Sequence, residues 1–177
     1  MTNRQTETTE VGNMGNRPAF VVDQMLGELA RWLRMLGYDT FYSKDLNDDE
    51  LMEYSRKKNR VLVTCDRSLH ARAVRKGIRT LLLRPGSLVN RLALLAKVYG
   101  IELKVDPEDS RCPLCNGEIH KVDDTTEVIG RVPARILNTQ REFWICSMCK
   151  QVYWIGGHWK NIEKSIEEAR RLTGKEC

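Results

Sequence analysis

The sequence predicts an α/β protein: a parallel sheet with helices on both faces, followed by a small metal-stapled ribbon. Three observations carry that expectation. Short apolar runs alternate with helix-period segments in the order βαβαβαβα between Phe20 and Tyr99, which implies right-handed crossovers and a sheet covered on both faces. Acids end or follow the first three runs, at Asp23, at Asp48 and Asp49, and at Asp66. Two Cys-x-x-Cys pairs stand further on, with 30 residues between them.

The elements follow in order. Phe20 to Val22 is an apolar run closed by Asp23. Met25 to Leu36 carries apolar residues at Met25, Leu26, Leu29, Leu33 and Leu36 and stops at Gly37, the spacing of an amphipathic helix. Thr40 to Ser43 is a second strand. Asn47 caps the next helix, from Asp48 to Lys58, with Glu50 as its capping-box partner. Val61 to Thr64 is a third strand and leads through Cys65 and Asp66 to a helix over Leu69 to Lys76, for which Ser68 can serve as cap. Thr80 to Leu83 is a fourth strand, closed by Arg84-Pro85-Gly86, and Leu88 to Tyr99 is an apolar helix ended by Gly100. The pattern changes at Asp106-Pro107. Strands are expected at Glu127 to Ile129, Glu142 to Ile145 and Gln151 to Ile155, and a charged helix from Trp159 to Leu172. The expected organisation is a polar, disordered tail over residues 1–18, an α/β unit over 19–106, a ribbon over 107–159 and a terminal helix over 160–177.

Composition narrows the class. With 177 residues, 41% hydrophobic and 30% charged, the chain suits one medium soluble domain with an appendage. No apolar run approaches the roughly 18–20 residues of a membrane span, and residues 1–19 lack the apolar core of a signal peptide. A net charge of +5 is compatible with a nucleic-acid partner. Cysteines in Cys-x-x-Cys pairs favour zinc over disulfides, and hence a reducing, cytoplasmic setting.

Cys112-Pro113-Leu114-Cys115 and Cys146-Ser147-Met148-Cys149 each form a knuckle offering two thiolates. Together they make a closed four-sulfur site, which suits structural zinc and leaves no open catalytic position. The gap between them is expected to hold an extra hairpin, and the metal to fold a segment too small for its own core. Redox-active dithiols are the competing reading. Arg131, Arg135 and Arg141 are the ribbon's candidate nucleic-acid contacts. Cys65 is expected in the core, and His158 is a weak alternative ligand.

The acids carry the chemistry. Carboxylates converging from strand ends suit a hard cation such as magnesium or manganese, which activates water and neutralises phosphate charge in phosphodiester hydrolysis. Asp23, Asp48 and Asp66 are the leading set, with Asp49 the alternative to Asp48 and Asp45 a weaker candidate. The bland reading of each is a helix cap, worth about 1 kcal/mol. Asn47 and Ser68 can take that task from Asp48 and Asp66; for Asp23 it stays open. Six Lys and Arg and no acid lie between Arg67 and Arg84. Arg31, Arg34 and Arg67 are the candidate substrate-binding cations, whereas Arg72, Arg75 and Lys76 suit a solvated helix face. Trp32 suits the core.

The stretch Phe20-Val21-Val22-Asp23 through Gly27, Arg31-Trp32-Leu33-Arg34 to Gly37-Tyr38-Asp39 resembles the opening of the PIN-like ribonuclease domain with a C-terminal zinc ribbon. That family is named after the C-terminal domain of the Mut-seven exoribonucleases. Asp48-Asp49-Glu50-Leu51 and Leu62-Val63-Thr64-Cys65-Asp66-Arg67 are similar to its next motifs, and Arg111-Cys112-Pro113-Leu114-Cys115-Asn116-Gly117 and Tyr153-Trp154-Ile155-Gly156-Gly157-His158-Trp159 to its ribbon and tail. Two positions depart: the family often has Arg where Cys65 stands and Ser where Gly157 stands. The resemblance implies a PIN-like Rossmannoid sheet, metal-dependent cleavage of RNA by Asp23, Asp48 and Asp66, and a domain that often pairs into a homodimer. A tRNA or ribosomal substrate is compatible with it. The competing function is a non-catalytic RNA-binding or ribosome-associated module that uses the ribbon and the basic helices. A phosphoryl-transfer domain would want Asp-x-Asp or paired acids after the first strand, where Asp23-Gln24-Met25 stands.

Overall fold

The protein was analysed as a computed structural model that describes residues 17–174. The tail expected over 1–18 lies outside the described residues except for Arg17 and Pro18, and Cys177 lies outside them too.

A four-stranded parallel sheet organises the first part of the chain. Its strands are β1 (Phe20–Val22), β2 (Thr40–Tyr42), β3 (Val61–Thr64) and β4 (Thr80–Leu82), in the order β2-β1-β3-β4. Each strand is three or four residues long, and β1 and β3 are wholly buried. Alternation divides their side chains between two cores. Phe20, Val22, Val61 and Val63 face α1 (Gly27–Met35), α4 (Leu88–Tyr99) and α6 (Trp159–Thr173) through Leu29, Leu33, Leu92, Leu95 and Ile166. Val21 and Leu62 face α2 (Asp48–Lys57) and α3 (Arg67–Arg75) through Leu51, Met52, Leu69 and Ala73. Strands buried on both faces read in the sequence as unbroken apolar runs, which is why they were legible there.

The helix expected from Met25 starts later. Gln24–Leu26 is a 3-10 turn, α1 begins at Gly27, and Met25 is 74% exposed rather than core. Gly27 sits where a Cβ would come within 2.7 Å of the Tyr42 hydroxyl, which itself donates to the Gln24 carbonyl at 2.9 Å. The Asn47–Glu50 capping box opens α2 as the sequence suggests. Cys65 and Trp32 pack against the first core.

The second part is a three-stranded antiparallel ribbon, β5 (Ile119–Lys121), β6 (Trp144–Cys146) and β7 (Val152–Tyr153), ordered β5-β6-β7. The strand expected at Glu127 to Ile129 is a 3-10 turn over Thr125–Val128, fixed by the Asp124 carboxylate accepting from the Thr126 amide at 2.9 Å. In place of an extra hairpin, the gap between the knuckles holds β5, that turn and α5 (Ala134–Thr139). Val122, Val128, Val132, Phe143, Ile145 and Val152 make the ribbon's small core. α6 then returns to the first unit, packs on α4 and donates from Arg170 Nε to the Leu103 carbonyl at 2.9 Å.

The ribbon docks on the amino ends of the parallel strands. Arg34 Nε donates to the Thr40 carbonyl at 2.9 Å, and its Nη1 donates to the carbonyls of Pro113 at 2.9 Å and Leu114 at 3.1 Å. Asn116 holds a left-handed φ of 69° and accepts the Thr40 amide at 2.9 Å. Its Nδ2 donates to Asp39 at 2.7 Å. Arg60 closes the junction with two bonds to the same carboxylate, at 2.8 and 2.6 Å. Burial pushes the Asp39 carboxyl up, but the hydrogen bonds from Arg60 and Asn116 outweigh it and leave the carboxyl below its usual range. A carboxylate depressed in the folded state stabilises it above the unfolded pKa, and that contribution is lost as pH falls through the folded value. Acid titration of thermal stability should therefore show a loss at and below the ordinary carboxylate range that Asp39→Asn removes. The same acid limb in Asp39→Asn as in wild type would assign the loss to other groups.

Candidate active site and metal centre

The carboxyl ends of the strands lie on the other side of the sheet from the ribbon, about 10–13 Å away for strands of this length at roughly 3.3 Å per residue. Asp23 follows β1 there and is only 4% exposed. It stands at the start of the 3-10 turn, but its side chain makes no cap bond. Instead Oδ2 accepts the Thr64 hydroxyl at 2.7 Å. The same Thr64 oxygen accepts the Asp66 amide at 2.9 Å, and the Asp23 amide donates to the Val63 carbonyl at 3.0 Å. One hydroxyl thus fixes the ends of β1 and β3 together. Thr64 escaped the sequence reading, because a Thr closing a strand reads as β-propensity alone.

Asp66 is the cap of α3, accepting the amides of Ser68 at 2.6 Å and Leu69 at 3.2 Å. The expectation that Ser68 would take that role is corrected: α3 begins at Arg67, so Ser68 is already inside it. The capping bonds engage Oδ1 of Asp66 and leave Oδ2 without a partner among the described residues. Capping does not compete with ligation here, since a carboxylate has about four acceptor sites.

Asp48 and Asp49 open α2. Asp48 pairs with Arg72 at 3.0 Å, and Asp49 pairs with Arg72 at 2.6 Å and Lys76 at 3.2 Å. Two of the cations expected on a solvated helix face, Arg72 and Lys76, therefore tie α3 to the start of α2, while Arg75 stays exposed. Asp45 is exposed, and its amide donates to Ser43 Oγ at 3.1 Å.

Among the described residues, the cysteines are the one group of three or more His, Cys, Asp or Glu whose ligand atoms all lie within 4.8 Å of one another. Asp23, Asp48 and Asp66 do not form such a group. The carboxylates present therefore fit a hydrated ion held by one or two of them and completed by water and substrate, the habit of magnesium. They do not fit a cage of three direct carboxylate ligands.

Of the candidate substrate cations, Arg31 and Arg67 are exposed. Arg34 is not: it is 5% exposed and bonded to three carbonyls. The sequence spacing puts Arg31 and Arg34 on one side of α1, but Arg34 lies beside the buried stripe of Leu29, Ala30 and Leu33 and turns inward to the ribbon. It straps α1 to β2 and the ribbon.

The cysteine centre is closed. Cys112 and Cys149 Sγ lie 3.5 Å apart, and Cys115 and Cys146 Sγ 3.4 Å apart. A tetrahedron with Zn–S bonds of about 2.3 Å has sulfur–sulfur edges of about 3.8 Å, so the four sulfurs fit zinc with a small expansion. Burial pushes the Cys112 thiol up, but the Tyr153 hydroxyl at 3.0 Å and the amides of Cys115 and Leu114 outweigh it and bring it to about 7. Burial pushes Cys149 up to about 12, against one amide and with its sulfur neighbours adding to the rise. Four sulfurs in one cage compete for few negative charges, and a bound divalent cation relieves that competition. His158 is exposed and outside the sulfur set.

No described helix is long and apolar enough to cross a membrane. The family model of the Mut7-C RNAse domain matches residues 18–166, a span that holds both the strand-end acids and the cysteines. No curated protein and no solved structure matches the chain.

Proposed function

The chain belongs to the Mut7-C RNAse domain family, and from that premise we propose that it is a divalent-metal-dependent ribonuclease acting at the carboxyl ends of β1 and β3. The observation that carries the reading is the Asp23–Thr64–Asp66 network, in which one buried hydroxyl joins two strand-end acids. A carboxylate as enclosed as Asp23 is costly unless something charged or strongly polar faces it, and the structure supplies Thr64 to one oxygen only.

Magnesium or manganese, when bound, supplies acidified water and neutralises charge on the phosphate. The protein's part is to position. Thr64 aims Asp23, the α3 amides hold Asp66 with one oxygen free, and Arg72 keeps Asp48 at the start of α2. Arg31 and Arg67 are exposed cations suited to a phosphate backbone. The four cysteines hold zinc in a structural role, as a closed set with no open position must.

Manganese titration calorimetry on zinc-loaded protein tests the reading, paired with cleavage of single-stranded RNA by the same preparation. Wild type is expected to bind manganese and cleave RNA, and Asp66→Asn to lose both while keeping its melting temperature. Cleavage by Asp66→Asn at the wild-type rate would sink the proposal. Salt-sensitive RNA binding with no cleavage under any divalent cation would favour the non-catalytic module instead, for which the exposed Arg135 and Arg141 of the ribbon are the contacts.

A further inference from the structure

We propose that the cleft between the end of β4 and the start of α4 holds a phosphodiester of the RNA strand, with Arg84 and Arg91 as its cationic walls. The assignment rests on the ribonuclease reading and adds a substrate-positioning site to it. The cleft has a volume of about 480 Å³ and is lined by Arg84, Pro85, Gly86, Asn90 and Arg91 among others, with no carboxylate in its wall.

The two arginines differ from cations of the same sheet and helices that are matched to partners. Arg60, Arg72 and Lys76 are matched to Asp39, Asp48 and Asp49. Arg79 donates to the Asn59 carbonyl. Arg84 is exposed with no ion pair or hydrogen bond among the described residues. Arg91 is half-buried, and its Nε is sealed from solvent without a partner. A charged side chain with one N–H sealed from water and unpaired is held at a cost, and an anion accepting from the rest of the Arg91 fork in the cleft offsets it. The wider charge pattern agrees, because the chain between Asp66 and Glu102 carries eight Lys and Arg and no acid.

Position links the cleft to the acids. Leu82 is the register partner of Thr64 and lines the cleft, and the Leu83 amide donates to the Thr64 carbonyl at 2.8 Å. One lining residue of the cleft therefore stands about one strand spacing, roughly 4.8 Å, from the residue that fixes Asp23 and Asp66. The planar guanidinium fork matches phosphate oxygens, and Asn90 and Arg91 in the first turn of α4 line the cleft. A phosphate neighbouring the scissile one would lie here, so the site serves strand placement and leaves the chemical step to the acids.

Fluorescence anisotropy with a short labelled single-stranded RNA, without added magnesium or manganese, reads binding apart from cleavage. Arg84→Gln and Arg91→Gln are each expected to weaken binding about tenfold and to reduce the slope of log affinity against log salt by about one. Arg91→Lys should recover part of the loss. Arg84 is exposed, so its variant tests the site even where Arg91→Gln melts early. Wild-type affinity and slope in Arg84→Gln would overturn the proposal, as would a wild-type protein that does not bind RNA. Inorganic phosphate that binds tightly and only to wild type, while RNA binding ignores both substitutions, would make this a free-phosphate site and overturn the strand assignment. Arg84-dependent RNA binding in a protein that never cleaves would uphold the site and remove the ribonuclease reading, so the two fail separately.

Discussion

Asp23→Asn is expected to lower manganese-dependent RNA cleavage on the order of a thousandfold, the scale seen when one preorganised electrostatic group is removed from a buried site. The substitution keeps shape and can still accept the Thr64 hydroxyl, so the fold should persist. What it removes is a negative charge that is 4% exposed, at the junction of β1 and the 3-10 turn. Thr64→Val separates position from charge. It keeps the β-branched shape but leaves Asp23 Oδ2 and the Asp66 amide without the hydroxyl they share. A buried polar group without its partner costs about 1–3 kcal/mol, and supporting residues around a metal typically cost ten- to a hundredfold in activity. Thr64→Ser should restore most of the rate. RNA affinity without added divalent cations should be unmoved in all three variants, since none contacts the strand. A Thr64→Val protein with wild-type kcat would reduce the shared hydroxyl to a structural contact. An Asp23→Asn protein with wild-type kcat would remove the acid from the reaction.

The part of the fold legible in the sequence is the part whose signal is local. The runs at Phe20 and Val61 stand out because strands buried on both faces leave no polar alternation, and the Asn47–Glu50 box because both partners lie within four residues. The cysteines were legible because two thiolates three residues apart point to one ion. The misses share a different cause. Ser68 and Asp66 are both good caps by type, and only the start of α3 at Arg67 decides between them. Arg34 reaches Pro113 and Leu114 from 79 and 80 residues away, a separation at which neither periodicity nor spacing carries information. Thr125–Val128 has the composition of a strand, and the Asp124 side chain turns it by bonding the backbone two residues on. The family resemblance brought out the acids and the ribbon together, but not that they occupy opposite ends of the sheet.

That opposition makes zinc removal the second large effect, and an unusual one for a metalloprotein with two kinds of site. Cys146→Ser, or removal of zinc by a thiophilic chelator followed by fresh manganese, is expected to unfold the ribbon and spare the parallel sheet. Zinc on a four-sulfur site contributes about 10–16 kcal/mol in small isolated modules, as large as the whole stability of an ordinary domain at about 5–15 kcal/mol. The ribbon's core of six buried side chains, Val122, Val128, Val132, Phe143, Ile145 and Val152, cannot replace that. The damage should spread along named bonds. Without the first knuckle, Arg34 loses the Pro113 and Leu114 acceptors, Thr40 loses the Asn116 acceptor, and Asp39 keeps Arg60 alone. Hydrogen exchange should therefore accelerate at the Thr40 amide while Val22 and Val63, in strands flanked on both sides, stay protected. Manganese-dependent cleavage should fall only in proportion to lost stability, because Asp23, Thr64 and Asp66 lie at the far edge. An unchanged Thr40 amide after zinc removal would mean the ribbon folds without its metal. Complete loss of cleavage with the sheet still protected would mean that the ribbon reaches the acids through the substrate, gripping the strand that they cut.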